Sequence, residues 1–224
     1  MRDIILSKRL STAASFVRSG AVCADIGTDH AYVPIHLVLS GIATKAIASD
    51  VNVGPTLIAK ENVSKYGLDD KIIVRTANGL YGIEEYFPTD ILICGMGGEL
   101  ISEILQGSEY IKNNHIRLIL QPMTAVKELR EYLSHGYKIT EEALVYDADK
   151  LYQVICAEYD GIERSYTDIE LELGKINMEK REELFPLLVK NTLKKRRKRL
   201  EGLKIGGYPT KDIEKEISEL EAML

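Results

Sequence analysis

Apolar residues between positions 21 and 160 fall into short runs that alternate with longer segments of helical spacing. The runs are rich in β-branched residues and predict strands at Ala21–Ile26, Lys45–Val51, Lys71–Thr76, Asp90–Cys94, Arg117–Gln121, Glu142–Tyr146 and Leu151–Tyr159. The segments between the early runs predict helices at Val33–Gly41, Pro55–Tyr66, Gly98–Gln106 and Thr124–His135. This alternation is typical of βαβ units and a mostly parallel sheet. The last two runs are joined by a turn too short for a crossover helix, so they predict an antiparallel hairpin at the sheet edge.

The two ends of the chain have a different pattern. Apolar residues between Ile4 and Val17 recur at roughly helical spacing and predict an N-terminal helix with a basic face. After residue 160 the density of charged residues roughly doubles, and helical periodicity appears at Glu170–Asn177, Leu184–Leu203 and Ile213–Leu224. Thr210 follows a Gly/Pro turn at 206–209 and is placed to open the last helix. We therefore expect an α/β domain at residues 1–160 and a helical, coiled-coil hairpin domain at 161–224.

Composition excludes several protein classes. The chain has 224 residues, 45% hydrophobic residues and a net charge of −5, as in ordinary globular proteins. No segment approaches the roughly 18 consecutive apolar residues of a membrane span, and the N-terminus lacks the apolar core of a signal peptide. The three cysteines are far apart in apolar runs, which favours reduced thiols in a cytoplasmic protein. Neither the cysteines nor the scattered histidines have the spacing of metal ligands, so we expect no metal.

Candidate chemistry lies where four consecutive predicted strands end. Asp25 lies at the end of the first strand and Gly27 follows it, and Asp50 lies at the end of the second. Asn78 follows the third, and three glycines within residues 95–98 follow the fourth. The carboxyl ends of parallel strands form the binding edge of a doubly wound sheet, so these residues predict one ligand site.

Each of these signals has a structural alternative when it is taken alone. Asp25 and Gly27 can form a helix cap and a turn, acids often end strands, and Asn78 can belong to an ordinary Asn-Gly turn. The dinucleotide motif with three glycines is absent, because Gly27 stands alone after the first strand. An acid before that glycine would repel phosphate and suit a positively charged ligand.

The four strand ends together resemble those of class I S-adenosylmethionine-dependent methyltransferases, over roughly residues 20–160. A closer similarity is to the bacterial TrmK family, whose members are tRNA adenine(22)-N1 methyltransferases. It rests on Leu6-Ser-Lys-Arg-Leu10, on Asp25-Ile-Gly-Thr-Asp-His-Ala-Tyr-Val-Pro34, on Gly95-Met-Gly-Gly98, on Leu120-Gln-Pro-Met123 and on the C-terminal helical hairpin. The resemblance implies a Rossmann-like fold with a seven-stranded sheet. The Asn/Asp-Pro-Pro-aromatic motif of many amino-methylating enzymes is replaced by Gly95–Gly98, so their mechanism is not carried over.

The resemblance also implies a pocket for S-adenosyl-L-methionine. Asp25 and Gly27 would lie near the methionine end, Asp50 on the ribose and Asn78 near the adenine. The full set of expected cofactor-binding residues is Asp25, Gly27, Thr28, Asp50, Val51, Asn78, Gly79, Gly95, Met96 and Gly97.

Four residues are candidates for catalysis. Adenine N1 has a lone pair and no proton, so methyl transfer needs alignment and stabilisation of a cationic product more than a general base. Asp29 is a candidate for that stabilisation, and His30, Tyr32 and Gln121 are candidates for holding the base. The alternatives are a helix cap for Asp29, a packing role for His30 and backbone hydrogen bonds for Gln121.

Local clusters of cations favour RNA binding despite the acidic total. The expected RNA-binding residues are Lys8, Arg9 and Arg18 near the N-terminus, extended by Arg2, and the run Lys194, Lys195, Arg196, Arg197, Lys198 and Arg199. We expect tRNA as the partner and a monomer or weak dimer. The alternatives are a methyltransferase acting on another RNA, a protein or a small molecule, and a non-catalytic RNA-binding protein on the same scaffold.

Overall fold

A computed structural model describes residues 4–224 of the chain, so Arg2 lies outside the described residues. The chain divides into two compact units, Met1–Arg164 and Ser165–Leu224. The last strand of the first unit runs to Glu163, three residues beyond the boundary expected from composition.

The first unit is built on a seven-stranded sheet. Its strands are β1 (Ala21–Ile26), β2 (Ala43–Asp50), β3 (Ile72–Thr76), β4 (Asp90–Gly97), β5 (Arg117–Thr124), β6 (His135–Asp147) and β7 (Lys150–Glu163). They are arranged in the order β3-β2-β1-β4-β5-β7-β6. Neighbouring strands from β3 to β5 are parallel, whereas β7 is antiparallel to both β5 and β6. The predicted parallel sheet with an antiparallel edge hairpin is confirmed.

Helices cover both faces of this sheet. They are α1 (Lys8–Ser15), α2 (Tyr32–Leu39), α3 (Val53–Lys65), α4 (Gly98–Gln106) and α5 (Val126–Ser134), with a 3₁₀ turn at Ile83–Tyr86. One apolar cluster joins the sheet to α1, α2 and α3, and a second joins its other face to α4 and α5. Burial on both faces explains why the central strands are nearly all apolar.

The hairpin at the sheet edge is longer than predicted. Strand β6 begins at His135, directly after α5, whereas the apolar run predicted it only from Glu142. Its first half alternates polar and apolar residues, which hides it from a search for apolar runs. The fully buried Arg130 of α5 donates to Glu142 of this strand, Nε to Oε1 at 2.8 Å, and Arg130 Nη2 also donates to Gln153 Oε1 of β7 at 2.5 Å. This buried network fastens α5 to the hairpin.

The second unit consists of four helices. They are α6 (Asp168–Leu173), α7 (Lys175–Lys180), α8 (Phe185–Ile205) and α9 (Lys211–Glu221). The single helix predicted at Glu170–Asn177 is instead two short helices, because Gly174 between them has a φ of +86° that helical residues do not adopt. Helices α8 and α9 form the predicted hairpin, and apolar residues of both, such as Val189 and Leu220, are buried. Thr210 lies at the start of α9 but its side chain makes no capping hydrogen bond.

Candidate active site

The sheet brings the polar strand ends to one edge. Because β2, β1, β4 and β5 are neighbours and parallel, Asp50, Asp25, Gly95 and Gln121 follow one another across the carboxyl edge. The loop after β1 stays attached to β2, since the backbone N–H groups of Gly27 and Thr28 both donate to the carbonyl of Ser49, at 2.8 and 3.0 Å. The edge therefore holds a fixed row of polar groups.

Asp25 is a buried carboxylate at the centre of this row. Burial raises the pKa of Asp25 from 3.8 to about 6, and the nearby charge of Asp50 adds to the increase. A hydrogen bond from the Thr28 hydroxyl acts in the opposite direction. Thr28 is itself buried and its Oγ1 accepts from the N–H of Ala31 at 3.2 Å. Among residues 4–224 no cation pairs with the Asp25 carboxylate, so this buried group is suited to receive a cation from a ligand.

The space beside Gly27 that a side chain would need is occupied by Met96. Its φ is +81°, which strongly favours glycine, and a Cβ at this position would lie 2.0 Å from Cε of Met96. The Met96 side chain thus packs directly over the backbone of Gly27. Gly95, which precedes Met96 in the chain, also has a positive φ of +82° and is exposed at the end of β4. The backbone at Gly95 is therefore open to close approach, whereas the end of the Met96 side chain covers Gly27.

The ends of β2 and β3 continue the site. Asp50 Oδ1 accepts a 2.7 Å hydrogen bond from the N–H of Asn52, which fixes the carboxylate, and Val51 beside it is 61% exposed. Asn78 and Gly79 line a cleft together with Leu100 and Ile104 of α4. Its lining combines apolar side chains with the polar groups of Asn78 and Glu103, a mixture that suits a heterocyclic ligand.

Three of the predicted catalytic residues lie together, Asp29 and His30 in the loop after β1 and Tyr32 at the start of α2. Nε2 of His30 is 3.1 Å from Oδ2 of Asp29, and the His30 ring stacks on Tyr32 at a centroid distance of 5.2 Å. Asn62 of α3 donates to the backbone carbonyl of His30 at 3.0 Å. Asp29 does not cap α2, because the residue before that helix is Ala31, in the left-handed conformation and without a side-chain cap. The capping alternative for Asp29 is wrong.

Gln121 lies at the same edge but has different partners from those expected. It is fully buried, its Oε1 accepts from Nη1 of Arg9 at 2.7 Å, and its Nε2 donates to the carbonyl of Pro122 at 2.9 Å. Both ends of the amide are engaged, so direct contact with a base is not supported. The backbone alternative for Gln121 accounts for the bond to Pro122 but not for the bond to Arg9.

Arg9 belongs to the site, although its charge pattern alone suggested only an RNA contact. A Cβ on Gly95 would lie 3.6 Å from Nη1 of Arg9, so the guanidinium reaches from α1 across the ends of β4 and β5. The N–H of Arg9 also donates to Oδ2 of Asp147 at 3.2 Å, which ties α1 to the end of β6. No sequence signal links Arg9 to Gln121, because 112 residues separate them.

Arg18 does not have the role expected of it. Its Nε and Nη2 donate to Oδ1 of the buried Asp90, at 2.9 and 2.7 Å, and Nη2 also donates to the carbonyls of Thr89 and His115. This network holds the guanidinium at the amino end of β4, opposite the site edge, so the predicted RNA contact of Arg18 is replaced by a structural role. Lys8 is exposed on α1.

The basic run of α8 is only partly available to a partner. Arg196 is 8% exposed and its Nε donates to Oε2 of Glu216 at 2.5 Å, so the prediction that it contacts RNA is withdrawn. Lys195 is paired with Glu172 and Arg197 with Glu221, at 3.0 and 2.7 Å. Three of the six adjacent cations are therefore neutralised, because helices α6 and α9 supply acids. Lys194, Lys198 and Arg199 are exposed.

Two further features bear on the class of the protein. Within residues 4–224, no group of His, Cys, Asp or Glu side chains is arranged to hold a metal ion. Over the same residues, no helix combines the length and apolarity that crossing a membrane requires.

The chain is similar to known methyltransferases. Residues 6–155 match the family model described as a methyltransferase domain. The tRNA (adenine(22)-N(1))-methyltransferase of Bacillus subtilis is 40% identical over 177 residues, which cover 79% of this chain and 74% of that protein.

Solved structures extend the similarity to nearly the whole chain. A Streptococcus pneumoniae protein described as a putative tRNA (m1A22) methyltransferase, in complex with S-adenosyl-L-methionine, has 34% identity and a TM-score of 0.85, covering 98% of this chain and 100% of its own. TrmK of M. capricolum, in complex with S-adenosyl-homocysteine, has 30% identity and a TM-score of 0.81, covering 97% and 96%. The resemblance drawn from the strand-end motifs is confirmed: the chain belongs to the TrmK family of class I methyltransferases.

Proposed function

We propose that the protein transfers a methyl group from S-adenosyl-L-methionine to N1 of adenine 22 in tRNA. The observation that carries this proposal is the row of Asp50, Asp25 and Gly95 at the edge of the sheet, next to the Asp29–His30–Tyr32 cluster. The similarity to tRNA (adenine(22)-N(1))-methyltransferase supports the choice of acceptor.

The residues of the row fit the cofactor. Asp25 offers a buried carboxylate to the ammonium of the methionine part, and close approach of the cofactor to the Gly27 backbone requires the end of the Met96 side chain to move aside. The Asp50 carboxylate suits the two ribose hydroxyls, and Asn78 with Gly79 rims the cleft suited to the adenine. Thr28, Val51, Gly95, Met96 and Gly97 complete the proposed pocket. When bound, the cofactor supplies an electrophilic methyl group on a sulfonium.

The protein must then position the acceptor adenine and stabilise the positive charge that the ring acquires. Adenine N1 attacks with its lone pair and the ring becomes cationic, so a nearby anion lowers the barrier by stabilising the developing charge. We assign this role to Asp29, whose carboxylate is exposed on the loop after β1. His30 and Tyr32 form a stacked pair, and Tyr32 is 45% exposed, which suits stacking on a base.

Arg9 and Gln121 act at the acceptor side of the site. Gln121 holds the guanidinium of Arg9 next to Gly95, so we assign Gln121 to positioning and not to the base itself. The guanidinium is suited to the phosphate or ribose of the target nucleotide, because planar N–H donors recognise oxygen pairs. Adenine N1 is engaged in a base pair within a helix, so the nucleotide must leave the stack to be methylated.

Methyl transfer is assigned to the first unit, and the second unit contributes RNA contacts through exposed cations of α8. Lys8 and Arg9 of α1 contribute further contacts. We propose that the protein acts in the cytoplasm as a monomer or weak dimer.

Nucleoside mass spectrometry of tRNA incubated with the protein tests the proposal. Transcripts should acquire 1-methyladenosine only when S-adenosyl-L-methionine is present, and Asp25→Asn should abolish it. Cofactor binding measured by calorimetry without any methylated nucleoside would contradict the RNA assignment and favour a protein or metabolite substrate. Absence of cofactor binding would contradict the enzyme assignment altogether.

A further inference from the structure

The cations of α8 separate into two groups when their partners are considered. Lys195, Arg196, Arg197 and Lys204 each form an ion pair with an acid of α6 or α9. In the described part of the chain, Lys190, Lys194, Lys198 and Arg199 have no such pair and are exposed. These three lysines are spaced four residues apart, so they lie on one helix face and rise by about 6 Å at each step. We call them the lysine row.

The row runs beside a groove of the second unit. Lys190, Lys194 and Lys198 line this groove with Leu193, Glu201 and Leu224 among its other walls. Ile205 follows Lys198 by seven residues and continues the same face to the end of the helix. The row therefore leads directly to the turn that joins α8 to α9.

That turn presents an exposed aromatic ring. Tyr208 is 66% exposed, and the apolar side chain of Ile205 beside it is 89% exposed. A Cβ on Gly206 would lie 2.6 Å from Cε2 of Tyr208, so one side of the ring packs against the glycine backbone. The N–H of Tyr208 donates to the carbonyl of Leu203 at 2.9 Å, and Gly207 has a φ of +69°. The ring is held in place with much of its surface in solvent.

We propose that this hairpin binds an RNA strand along the lysine row, with the Tyr208 ring stacking on an unpaired base at the turn. A row of unpaired cations attracts the RNA backbone, and an aromatic ring stacks on any base. The same cations oppose a second copy of the row on this face, because like charges would meet. The inference rests on the proposed function, since it takes the tRNA substrate as the bound RNA and names the part of the second unit that grips it.

Binding of fluorescein-labelled, unmodified tRNA to the full chain, measured by anisotropy over a salt series, tests the proposal. Tyr208→Ala should weaken binding by about tenfold, and Tyr208→Phe, which keeps the ring, should bind like the parent. Lys194→Ala with Lys198→Ala should lower the slope of log affinity against log salt by about two. Lys195→Ala is the matched control, because it removes a cation of the same helix that is already paired with Glu172.

The outcomes separate this inference from the proposed function. If the parent protein neither binds nor methylates tRNA, the proposed function fails. If the parent does both, and Tyr208→Ala binds normally or Lys195→Ala weakens binding as much as the row variants, the hairpin inference is overturned. Cofactor affinity should stay unchanged in every variant.

Ultraviolet crosslinking gives an independent readout. A crosslinked peptide containing Tyr208 should appear with tRNA and disappear with Tyr208→Ala. A shift in sedimentation of the RNA-free protein on Tyr208→Ala would instead show that the turn serves self-association, and it would overturn the proposal.

Discussion

Nη1 of Arg9, on the first helix, donates a 2.7 Å hydrogen bond to Oε1 of Gln121 at the end of β5. The bond places a guanidinium beside Gly95, where β4 ends. Since Gln121 is fully buried and its other amide atom is bonded to Pro122, the side chain has little freedom to turn away. The first helix therefore contributes a cation to the edge of the sheet that holds the proposed cofactor pocket.

This relationship predicts the effect of Arg9→Met. We expect the rate of tRNA methylation to fall by about 10- to 100-fold, because a charge-assisted contact to the target nucleotide is lost. Cofactor affinity should change by less than about twofold. Single-turnover methylation and calorimetry measure the two quantities. Lys45→Met, which removes an exposed cation near the amino end of β2, away from the proposed site, is the control. An equal loss of cofactor affinity in Arg9→Met would place Arg9 in the cofactor site instead.

Asp25→Asn should raise the free energy of unfolding and at the same time weaken cofactor binding. The pKa of Asp25 is about 6 in the folded chain and 3.8 in its ordinary state, so the folded chain binds a proton more tightly than the unfolded chain. The stability contributed by this group is full below pH 3.8 and is lost as the pH rises through about 6. At neutral pH the ionised carboxylate is thus destabilising, and Asp25→Asn should raise the free energy of unfolding by about 1–3 kcal/mol.

Denaturant titration without cofactor measures this gain, and it should shrink as the pH is lowered toward 4. The same variant should bind S-adenosyl-L-methionine at least tenfold more weakly, because the ammonium loses its anionic partner. A lower free energy of unfolding for Asp25→Asn than for the parent at neutral pH would contradict a destabilising effect of the buried, ionised carboxylate.

The affinity of the parent protein for the cofactor should depend on pH. The ammonium of the cofactor stays protonated near pH 6, whereas Asp25 ionises there, so affinity should rise as the pH increases through about 6. Calorimetry between pH 5 and 7.5 tests this. In Asp25→Asn the rise should be absent, and a rise that persists would assign it to another group.

Gly27→Ala should weaken both stability and cofactor binding. The methyl group would lie 2.0 Å from Cε of Met96, at a φ of +81° that alanine adopts only at a cost. We expect a loss of about 1–2 kcal/mol in the free energy of unfolding and a larger loss of cofactor affinity. Gly20→Ala is the control, because Gly20 has a φ of +83° but nothing within 4 Å of the added methyl. Equal cofactor affinity in the two variants would refute close approach at Gly27.

Arg196→Met should cost stability rather than RNA affinity. The substitution removes the cation from a largely buried ion pair and leaves the Glu216 carboxylate behind. This should lower the free energy of unfolding by about 1–3 kcal/mol. Thermal unfolding of the full chain and anisotropy with tRNA measure the two effects. Arg199→Met, on the same helix but exposed, is the comparison, and its unfolding temperature should stay within about 1 °C of the parent.

Much of the fold follows from patterns that are local in sequence. Strand β1 and helix α4 have the predicted bounds, because each is an apolar element flanked by glycines or polar residues. The first half of β6 is not predicted, because its alternating polar and apolar residues form no apolar run. The predicted helix at Glu170–Asn177 failed at Gly174, where the backbone conformation outweighs the apolar periodicity.

The candidate site was predictable to a different extent. The strand-end residues could be found because each is adjacent to a recognisable strand, and parallel strands must align their ends. The partners of three arginines could not be found from the sequence, because they lie far away along the chain. These pairs are Arg9 with Gln121, Arg18 with Asp90 and Arg196 with Glu216. A cluster of cations therefore predicted RNA binding for Arg18 and Arg196, which tertiary structure assigns to ion pairs.

Mapping the methyl group on tRNA tests the central claim most directly. Two transcripts that differ only in A22 or G22 should be incubated with the protein and S-adenosyl-L-methionine, then digested and sequenced by mass spectrometry. The account predicts 1-methyladenosine at position 22 of the first transcript and no methylation of the second. Methylation of both transcripts at another site, or of neither while the cofactor is bound, would contradict it.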